Sequence, residues 1–184
     1  MDSPSPNYTS QSEGGEKMRQ AGLPKELMTL AAKVLAIVLV TVLLFTFVYG
    51  AVRYQEPYMY PAVKDGDLVI YYRFAKRAYM PRDLVVVKSG GTKEVRRIIA
   101  CGGDIVDITD SGLVINGALQ QEPDIRSPTY RYNEGIEFPI TVPYGEYFVL
   151  ADERQGADDS RIYGTVRQDD LAGKVMTLIR RRSF

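Results

Sequence analysis

The side chains available for acid–base or nucleophilic chemistry are restricted by what this chain lacks. It contains no histidine and a single cysteine, Cys101. It therefore cannot build a Ser-His-Asp triad, a Cys-His pair, a His-ligated metal site or an internal disulfide. Any proton transfer must use lysine, a carboxylate or tyrosine. We expect neither a bound metal nor a cofactor.

Three short segments carry the most informative polar residues, and they follow an apolar N-terminal stretch. In chain order they are Met59-Tyr60-Pro61 with Asp65-Gly66-Asp67, Arg96-Arg97-Ile98-Ile99 with Gly103-Asp104, and Ala151-Asp152-Glu153-Arg154 with Asp159-Ser160-Arg161 and Gly164. A Gly-Asp turn or a Met-x-Pro string alone would mean little. The third segment is the most specific of the three.

In this order the three segments resemble the sequence boxes of bacterial type I signal peptidases. Those enzymes carry a Ser-Met-x-Pro box, a Lys-Arg-x-Ile-Gly-x-x-Gly-Asp box and a Gly-Asp-Asn-x-x-x-Ser-x-Asp-Ser-Arg-x-x-Gly box. The resemblance runs from the apolar stretch to the end of the chain. It implies a Ser-Lys dyad, in which a neutral lysine takes the proton of the serine that attacks the scissile carbonyl. Such a lysine needs an apolar site that lowers its pKa.

The sequence departs from this pattern at the positions that the resemblance assigns to catalysis. Tyr58 stands where the family has the nucleophilic serine, and Arg96 stands where it has the lysine base. Ala157 replaces the serine of the third box, which in the family helps to orient the lysine amine. The expected Gly-x-Pro-Gly-Asp reads Ala100-Cys101-Gly102-Gly103-Asp104.

These changes argue against peptidase chemistry. Arginine keeps its proton in proteins, so Arg96 cannot serve as a general base. The phenol of Tyr58 is a poor acyl acceptor without a base, and its ring would occupy substrate space. We expect no catalytic residues, with Tyr58, Arg96 and Ala157 as degenerate positions. The alternative is a Ser-Lys pair elsewhere, drawn from Ser89, Ser111, Ser127 and Ser160 and from Lys64, Lys76, Lys88, Lys93 and Lys174, but none has the family's sequence context.

The resemblance also implies two ion pairs that would hold the scaffold together. Arg97 would pair with Asp152, and Asp159 would pair with Arg161. A bidentate Arg–carboxylate pair fixes the positions of its strands even where no reaction occurs. We predict a structural role for these four residues.

An apolar run from Val34 to Val52 contains no charged side chain. A helix of that length spans about 28 Å, close to the hydrocarbon thickness of a bilayer. A cleaved signal peptide would have a shorter apolar run and a small-x-small site, which Gly50-Ala51-Val52-Arg53 fits poorly. A buried core helix would need a large helical core, and the rest of the sequence predicts none. The sequence therefore predicts a retained transmembrane anchor over residues 27–52.

Basic residues predict the orientation of this anchor. More of them precede the run than follow it closely: Lys17, Arg19, Lys25 and Lys33 against Arg53 and Lys64. The positive-inside rule then places the N-terminus in the cytoplasm. We predict a single-pass protein of the cell membrane, with a disordered cytoplasmic tail over residues 1–26 and an extracytoplasmic domain over residues 53–184.

Residues 53–184 are predicted to form a mainly β domain. Short β-branched or aromatic segments alternate with Gly, Pro and Asp clusters, as in sheets with hairpin connections. The predicted strands are Asp67–Tyr72, Asp83–Val87, Val95–Ile99, Gly112–Gly117, Glu146–Leu150 and Gly173–Ile179, and Val166–Leu171 is predicted to form one helical turn. The resemblance implies coiled antiparallel sheets of the signal peptidase type.

Three functions are compatible with this sequence. The first is a non-catalytic signal peptidase homologue that assists assembly of sortase-dependent pili in a Gram-positive bacterium, because the chain resembles a pilus-associated subgroup that lacks both Ser and Lys. The second is an active or atypical signal peptidase that cleaves secretory precursors. The third is a regulatory subunit of the secretion machinery. The expected partners are membrane lipid, a pilin or other exported segment, and a sortase; balanced charge, 23 basic against 23 acidic residues, argues against nucleic acid.

Overall fold

The computed structural model describes residues 25–75, 79–123 and 125–180. All but the last two residues of the predicted tail, 1–26, lie outside this range. Helix α1 spans Lys25–Leu43 and continues into a π-helical turn over Leu44–Val48. Together they form 24 helical residues, which contain an 18-residue stretch with a mean hydropathy of 2.6 that is not buried against protein. By length and composition this helix could cross a membrane.

The helical segment ends earlier than the apolar run predicts. The prediction extends the anchor to Val52, but Tyr49 has an extended backbone, with φ of −109° and ψ of 159°. Strand β1, Tyr49–Arg53, begins there and pairs with the strand over Leu68–Tyr72. Hydropathy could not reveal this boundary, because an apolar strand and an apolar helix have the same composition.

In the described part of the chain, ten further strands follow β1, and the strand pairs there are all antiparallel. They are β2 Leu68–Tyr72, β3 Leu84–Ser89, β4 Thr92–Cys101, β5 Ile105–Thr109, β6 Gly112–Ile115, β7 Ala118–Leu119, β8 Ile140–Thr141, β9 Glu146–Leu150, β10 Val166–Arg167 and β11 Leu171–Ile179. One sheet has the order β1-β2-β11-β3-β4-β9-β10, and the other has the order β7-β6-β5-β8. The prediction of a mainly β fold of antiparallel sheets is confirmed.

The helical turn predicted over Val166–Leu171 is only partly present. A 3-10 turn covers Gln168–Asp170, while β10 and β11 take up the flanking residues. A second short helix, α2, covers Ser160–Tyr163 inside the third box. Asp159 caps α2 by accepting a hydrogen bond from the Arg161 amide at 3.1 Å. No helix was predicted over these residues, since four residues are too few to show a helical period.

The apolar side chains of the described residues form three buried clusters, and one of them underlies the candidate site. That cluster combines residues of the first and third boxes with residues of the central strands: Tyr54, Met59, Val63, Val69, Tyr71, Val86, Val95, Ala151 and Ala157. Another cluster lies between the two sheets and includes Ile99, Val106, Leu113 and Phe148. The boxes therefore belong to the core as well as to the site.

Close packing at Tyr71 explains why β1 carries a glycine. Gly50 lies opposite Tyr71 in the β1–β2 pair, and a Cβ at Gly50 would stand 2.2 Å from a carbon of the Tyr71 ring. The ring is 1% exposed, and its hydroxyl accepts a hydrogen bond from Lys93 Nζ at 3.0 Å. Any larger residue at Gly50 would displace this ring from the core.

Candidate functional site

The position of the family's lysine base is occupied by a buried arginine. Arg96 lies in β4, which pairs with β3 on one side and β9 on the other. Only 1% of its surface is exposed. A buried charge of this kind is tolerated only when its hydrogen-bonding groups and its charge are compensated.

Arg96 makes four hydrogen bonds through its guanidinium among the described residues. Nε and Nη2 donate to the carbonyl oxygen of Asp158 at 3.1 and 2.9 Å. Nη1 donates to Glu56 Oε2 at 3.0 Å and to its neighbour's carbonyl, Val95 O, at 2.8 Å. Nη2 also lies 3.0 Å from Glu94 Oε2, which adds a second carboxylate charge beside the cation. Because a guanidinium has five N–H groups, most of its hydrogen-bonding capacity is used within the protein.

The electrostatics of this cluster keep Arg96 charged. Burial alone would lower its pKa, but the hydrogen bond to Glu56 and the charges of Glu94 and Glu56 outweigh burial, so the pKa of Arg96 lies above its ordinary value. Burial raises the pKa of Glu94 against the opposing charge of Arg96. The site therefore stabilises a cation where a general base would need a neutral amine.

Arg96 forms ion pairs with two carboxylates, those of Glu56 and Glu94, each at 3.0 Å. Asp158, by contrast, contributes its backbone carbonyl instead of its side chain. Glu94 was not predicted from the sequence. Alternation along a strand was the available signal, because residues two apart in β4 share a face and Glu94 precedes Arg96 by two.

The three positions predicted to be degenerate lie around the same cluster. Tyr58 is half-buried and packs against the core cluster that contains Met59 and Ala157. Its carbonyl accepts a hydrogen bond from the Glu153 amide at 2.7 Å, which joins the first box to the third. Arg96 reaches Glu56, two residues before Tyr58, and Asp158, one residue after Ala157. The structure thus brings all three positions together.

The two ion pairs implied by the resemblance are present in the structure. Arg97 binds Asp152 through two parallel hydrogen bonds of 2.7 and 2.6 Å. Arg161 binds Asp159 through bonds of 2.9 and 2.8 Å, and both side chains are buried. Asp159 Oδ2 also accepts a hydrogen bond from the Ala151 amide at 3.2 Å. This second pair therefore holds both ends of the third box.

A tyrosine that the sequence analysis did not consider lies under the site. Tyr54 is 2% exposed, and its hydroxyl has no hydrogen-bond partner among the described residues. Burial, followed by the charge of Glu56, raises the pKa of Tyr54 above its ordinary value. A phenol held neutral in this way is not a nucleophile.

The serines and lysines considered as an alternative dyad have other roles. Ser160 Oγ is buried and accepts a hydrogen bond from the Val149 amide at 2.9 Å. Lys93 donates to Tyr71, and Lys174 forms an ion pair with Asp83 at 2.7 Å. Lys76 lies outside the described residues. Within the described ranges, no group of three acidic or cysteine side chains is placed to hold a metal ion.

Comparison with known families agrees with the three boxes. The family model "Signal peptidase, peptidase S26" matches residues 27–179, which covers most of the chain and all three boxes. The chain belongs to the signal peptidase family. The resemblance drawn from the sequence is thereby confirmed at the level of the family, while membership of its non-catalytic, pilus-associated subgroup stays a prediction.

Individual signal peptidases are similar over the same region. Signal peptidase I U of Bacillus subtilis strain 168 is 29% identical over 76% of this chain and 82% of its own length. Signal peptidase I of Bacillus licheniformis is 31% identical over 71% of this chain and 75% of its own length. A crystal structure of a signal peptidase I from Enterococcus faecalis V583 is 31% identical and covers 55% of this chain and 98% of its own, with a TM-score of 0.45.

Proposed function

We propose that this chain is a signal peptidase homologue that does not cleave peptides. The observation that carries the proposal is that the buried Arg96 guanidinium is hydrogen-bonded to Glu56 and two backbone carbonyls and paired in charge with Glu94. A group held in this way can neither lose a proton to solvent nor accept one from a nucleophile. Tyr58 therefore has no base at the position where the family places one.

The first prediction is that the purified protein leaves a secretory precursor intact. The measurement is incubation of the full-length protein in detergent with a signal-peptide-bearing precursor, followed by mass spectrometry of the products. A named signal peptidase such as the Bacillus licheniformis enzyme provides the positive control. Specific cleavage that disappears in a Tyr58→Phe variant would contradict the proposal and make Tyr58 the nucleophile.

What a non-cleaving member of this family retains is a scaffold able to hold an extended chain. Peptides add to exposed strand edges through backbone hydrogen bonds, and this capacity does not depend on a nucleophile. We propose that the protein binds a segment of an exported protein and assists assembly of sortase-dependent pili. Support comes from its resemblance to the pilus-associated subgroup in lacking both Ser and Lys.

The pilus role makes a prediction about the surrounding genes. We expect genes for pilins with LPxTG-type sorting signals and for a sortase next to the gene of this protein. The measurement is the sequence of the flanking genome. If these genes are absent and the protein instead co-purifies with an active signal peptidase, it is a regulatory subunit and the pilus role is wrong.

We also propose that α1 anchors the protein in the cell membrane with its N-terminus in the cytoplasm. The length and hydropathy of α1 support the anchor, and the basic residues before the apolar run support the orientation. Protease added to intact protoplasts is expected to degrade the domain that follows the anchor, as detected with an antibody to that domain. If the domain is fully protected in intact protoplasts and is degraded only after they are lysed, the proposed orientation is wrong.

A further inference from the structure

The aromatic ring of Tyr60, in the first box, carries two cations. Lys64 Nζ lies 5.6 Å from the ring centroid, and the guanidinium carbon of Arg126 lies 4.7 Å from it. Both distances are within the range of about 6 Å over which a ring attracts a cation. Tyr60 is 41% exposed, and the two cationic residues are exposed as well, so a partner can reach all three.

These two cations differ from the other cations that lie over a ring. In the four other cation–ring contacts among the described residues, the cation also donates a hydrogen bond or forms an ion pair: Arg73 with Tyr49 O, Lys93 with the Tyr71 hydroxyl, Arg131 with Asp107, and Arg161 with Asp159. Within the part of the chain that the structure describes, neither Lys64 Nζ nor the Arg126 guanidinium has such a partner. Because a ring face satisfies no N–H group, the donors of both side chains remain available to water or to a ligand.

Two carboxylates of nearby segments have other partners. Asp67 is buried, and its Oδ2 accepts a hydrogen bond from the Lys64 backbone amide at 3.0 Å and lies 4.0 Å from Arg180 Nε. Glu153 Oε1 accepts a hydrogen bond from the Ser127 hydroxyl at 2.7 Å. The two like charges at the ring therefore repel each other, and an added anion would relieve that repulsion.

The backbone around both cations is held in place by contacts that need no ligand. The Lys64 carbonyl accepts a hydrogen bond from the Asp67 amide at 3.0 Å, which closes a turn. Arg126 lies between Glu122, which forms an ion pair with the buried Arg154, and the serine bound to the third box. A site whose backbone is already ordered loses little conformational entropy when it binds a partner.

The position of the site favours a polypeptide over a lipid headgroup as the partner. β1 begins at Tyr49, directly after the π-helical turn, and its last residue, Arg53, pairs with Leu68. At about 3.3 Å per residue, Arg53 lies about 13 Å along the strand from Tyr49. Asp67 precedes Leu68 and binds the Lys64 amide, so the two cations stand at the end of β1 and β2 that is remote from the helical segment.

We propose that Tyr60, Lys64 and Arg126 form a recognition site for an acidic side chain of a partner protein. The guanidinium can donate two parallel hydrogen bonds to a carboxylate, and the ammonium adds a second positive charge. The ring of Tyr60 holds both cations at the site. The site uses none of the three degenerate positions, so the proposal does not rest on the absence of cleavage, and failure of one leaves the other standing.

The test uses the full-length protein in micelles of an uncharged detergent, with ¹³C in the tyrosine rings. The Tyr60 signal is identified by its loss in Tyr60→Phe. The probe is the peptide acetyl-Ser-Asp-Gly-Glu-Ser-amide, and the control peptide has asparagine and glutamine in place of its two acidic residues. We expect the acidic peptide to shift the Tyr60 signal, to bind at least about tenfold more tightly than the control peptide, and to bind more weakly as salt is added. Equal binding of the two peptides, or no shift with either, would overturn the proposal.

Variants test whether the peptide binds at these cations. Lys64→Gln combined with Arg126→Gln removes both charges at exposed positions, whereas Arg167→Gln removes a charge of a side chain that is 72% exposed elsewhere. We expect the double variant to bind the acidic peptide about tenfold more weakly or less, and Arg167→Gln to bind it unchanged. Unchanged affinity in the double variant would show that the peptide binds elsewhere and that the proposal is wrong.

A lipid probe tests the other source of an anion. Dihexanoyl-phosphatidylglycerol is added to the same labelled protein, with dihexanoyl-phosphatidylcholine as the control. We expect neither lipid to shift the Tyr60 signal at concentrations at which the acidic peptide does. A shift caused by the phosphatidylglycerol and not by the peptide would make the ligand a lipid headgroup and contradict the proposal.

Discussion

Replacing Asp159 with alanine is expected to lower the free energy of unfolding by about 3–5 kcal/mol. Asp159 and Arg161 are buried, with 0% and 1% of their side chains exposed. Without Asp159, the hydrogen bonds that remain to the buried guanidinium from the described residues are those to the Tyr130 carbonyl and the Tyr132 hydroxyl, both at 3.2 Å, and neither partner is charged. The Ala151 amide also loses its acceptor.

The matched control is an ion pair of the same types on the surface. Arg167 and Asp170 are 72% and 41% exposed, so Asp170→Ala should change the unfolding free energy by less than about 1 kcal/mol. Both variants are compared with the unmodified protein by denaturant unfolding, followed by far-ultraviolet circular dichroism because the chain has no tryptophan. Equal losses of unfolding free energy in the two variants would contradict this prediction, because burial of the Asp159–Arg161 pair would then add nothing to stability.

Restoring the dyad should produce activity only when several residues change together. Tyr58→Ser supplies a nucleophile and Arg96→Lys an amine, but each alone should give no cleavage because nucleophile and base act as a unit. Adding Ala157→Ser supplies a partner to orient the amine. We expect the triple variant to cleave a secretory precursor slowly, since Ala100-Cys101-Gly102 departs from the family beside the base and an error of about 1 Å can cost about a hundredfold.

The surroundings of Arg96 predict the pH dependence of that activity. The introduced ammonium would lie near Glu56 and Glu94, whose carboxylate oxygens are each 3.0 Å from the guanidinium. Nearby negative charges raise the pKa of a lysine, so the amine would be neutral only at alkaline pH. The rate of the triple variant should therefore rise with pH through the alkaline range.

Removing the two carboxylates should move this pH profile. With Glu56→Gln and Glu94→Gln added to the triple variant, the lysine pKa falls and cleavage should begin at lower pH. The measurement is the initial rate of precursor cleavage as a function of pH. The control carries Tyr58→Ala instead of Tyr58→Ser, together with the same four other substitutions, and should be inactive. Cleavage by that control, or a profile unchanged by the glutamines, would contradict this account.

A strand could be predicted from the sequence when turn residues separate it from other apolar segments. Glu146–Leu150 is flanked by turn residues and was predicted with the bounds that the structure shows. β1 is continuous with the apolar anchor, so composition could not separate them. β5, Ile105–Thr109, was missed although Val106 and Ile108 alternate correctly, because Asp107 and Thr109 make the segment resemble a turn.

A contact in the site could be predicted from the sequence wherever both of its residues lie in the family boxes. The Arg97–Asp152 and Asp159–Arg161 pairs follow from the boxes, because both members of each pair lie in them. The partners of Arg96 do not. Glu94 lies just outside its box, and the Asp158 contact is made by a backbone carbonyl, which no side-chain pattern can reveal. These contacts depend on how β4 and the third box meet in space.

The contacts of Arg96 have a consequence for evolution. A return to the Ser-Lys dyad through Arg96→Lys would provide three ammonium donors where the guanidinium now makes four hydrogen bonds, so at least one oxygen atom bound by Arg96 would lose a donor. A return that began with Tyr58→Ser would open a gap beside the core and still lack a base. If the chain is the non-cleaving homologue proposed above, we expect either first step to lower stability without adding hydrolysis on which selection could act. A return to hydrolysis would then require several of these substitutions to occur together.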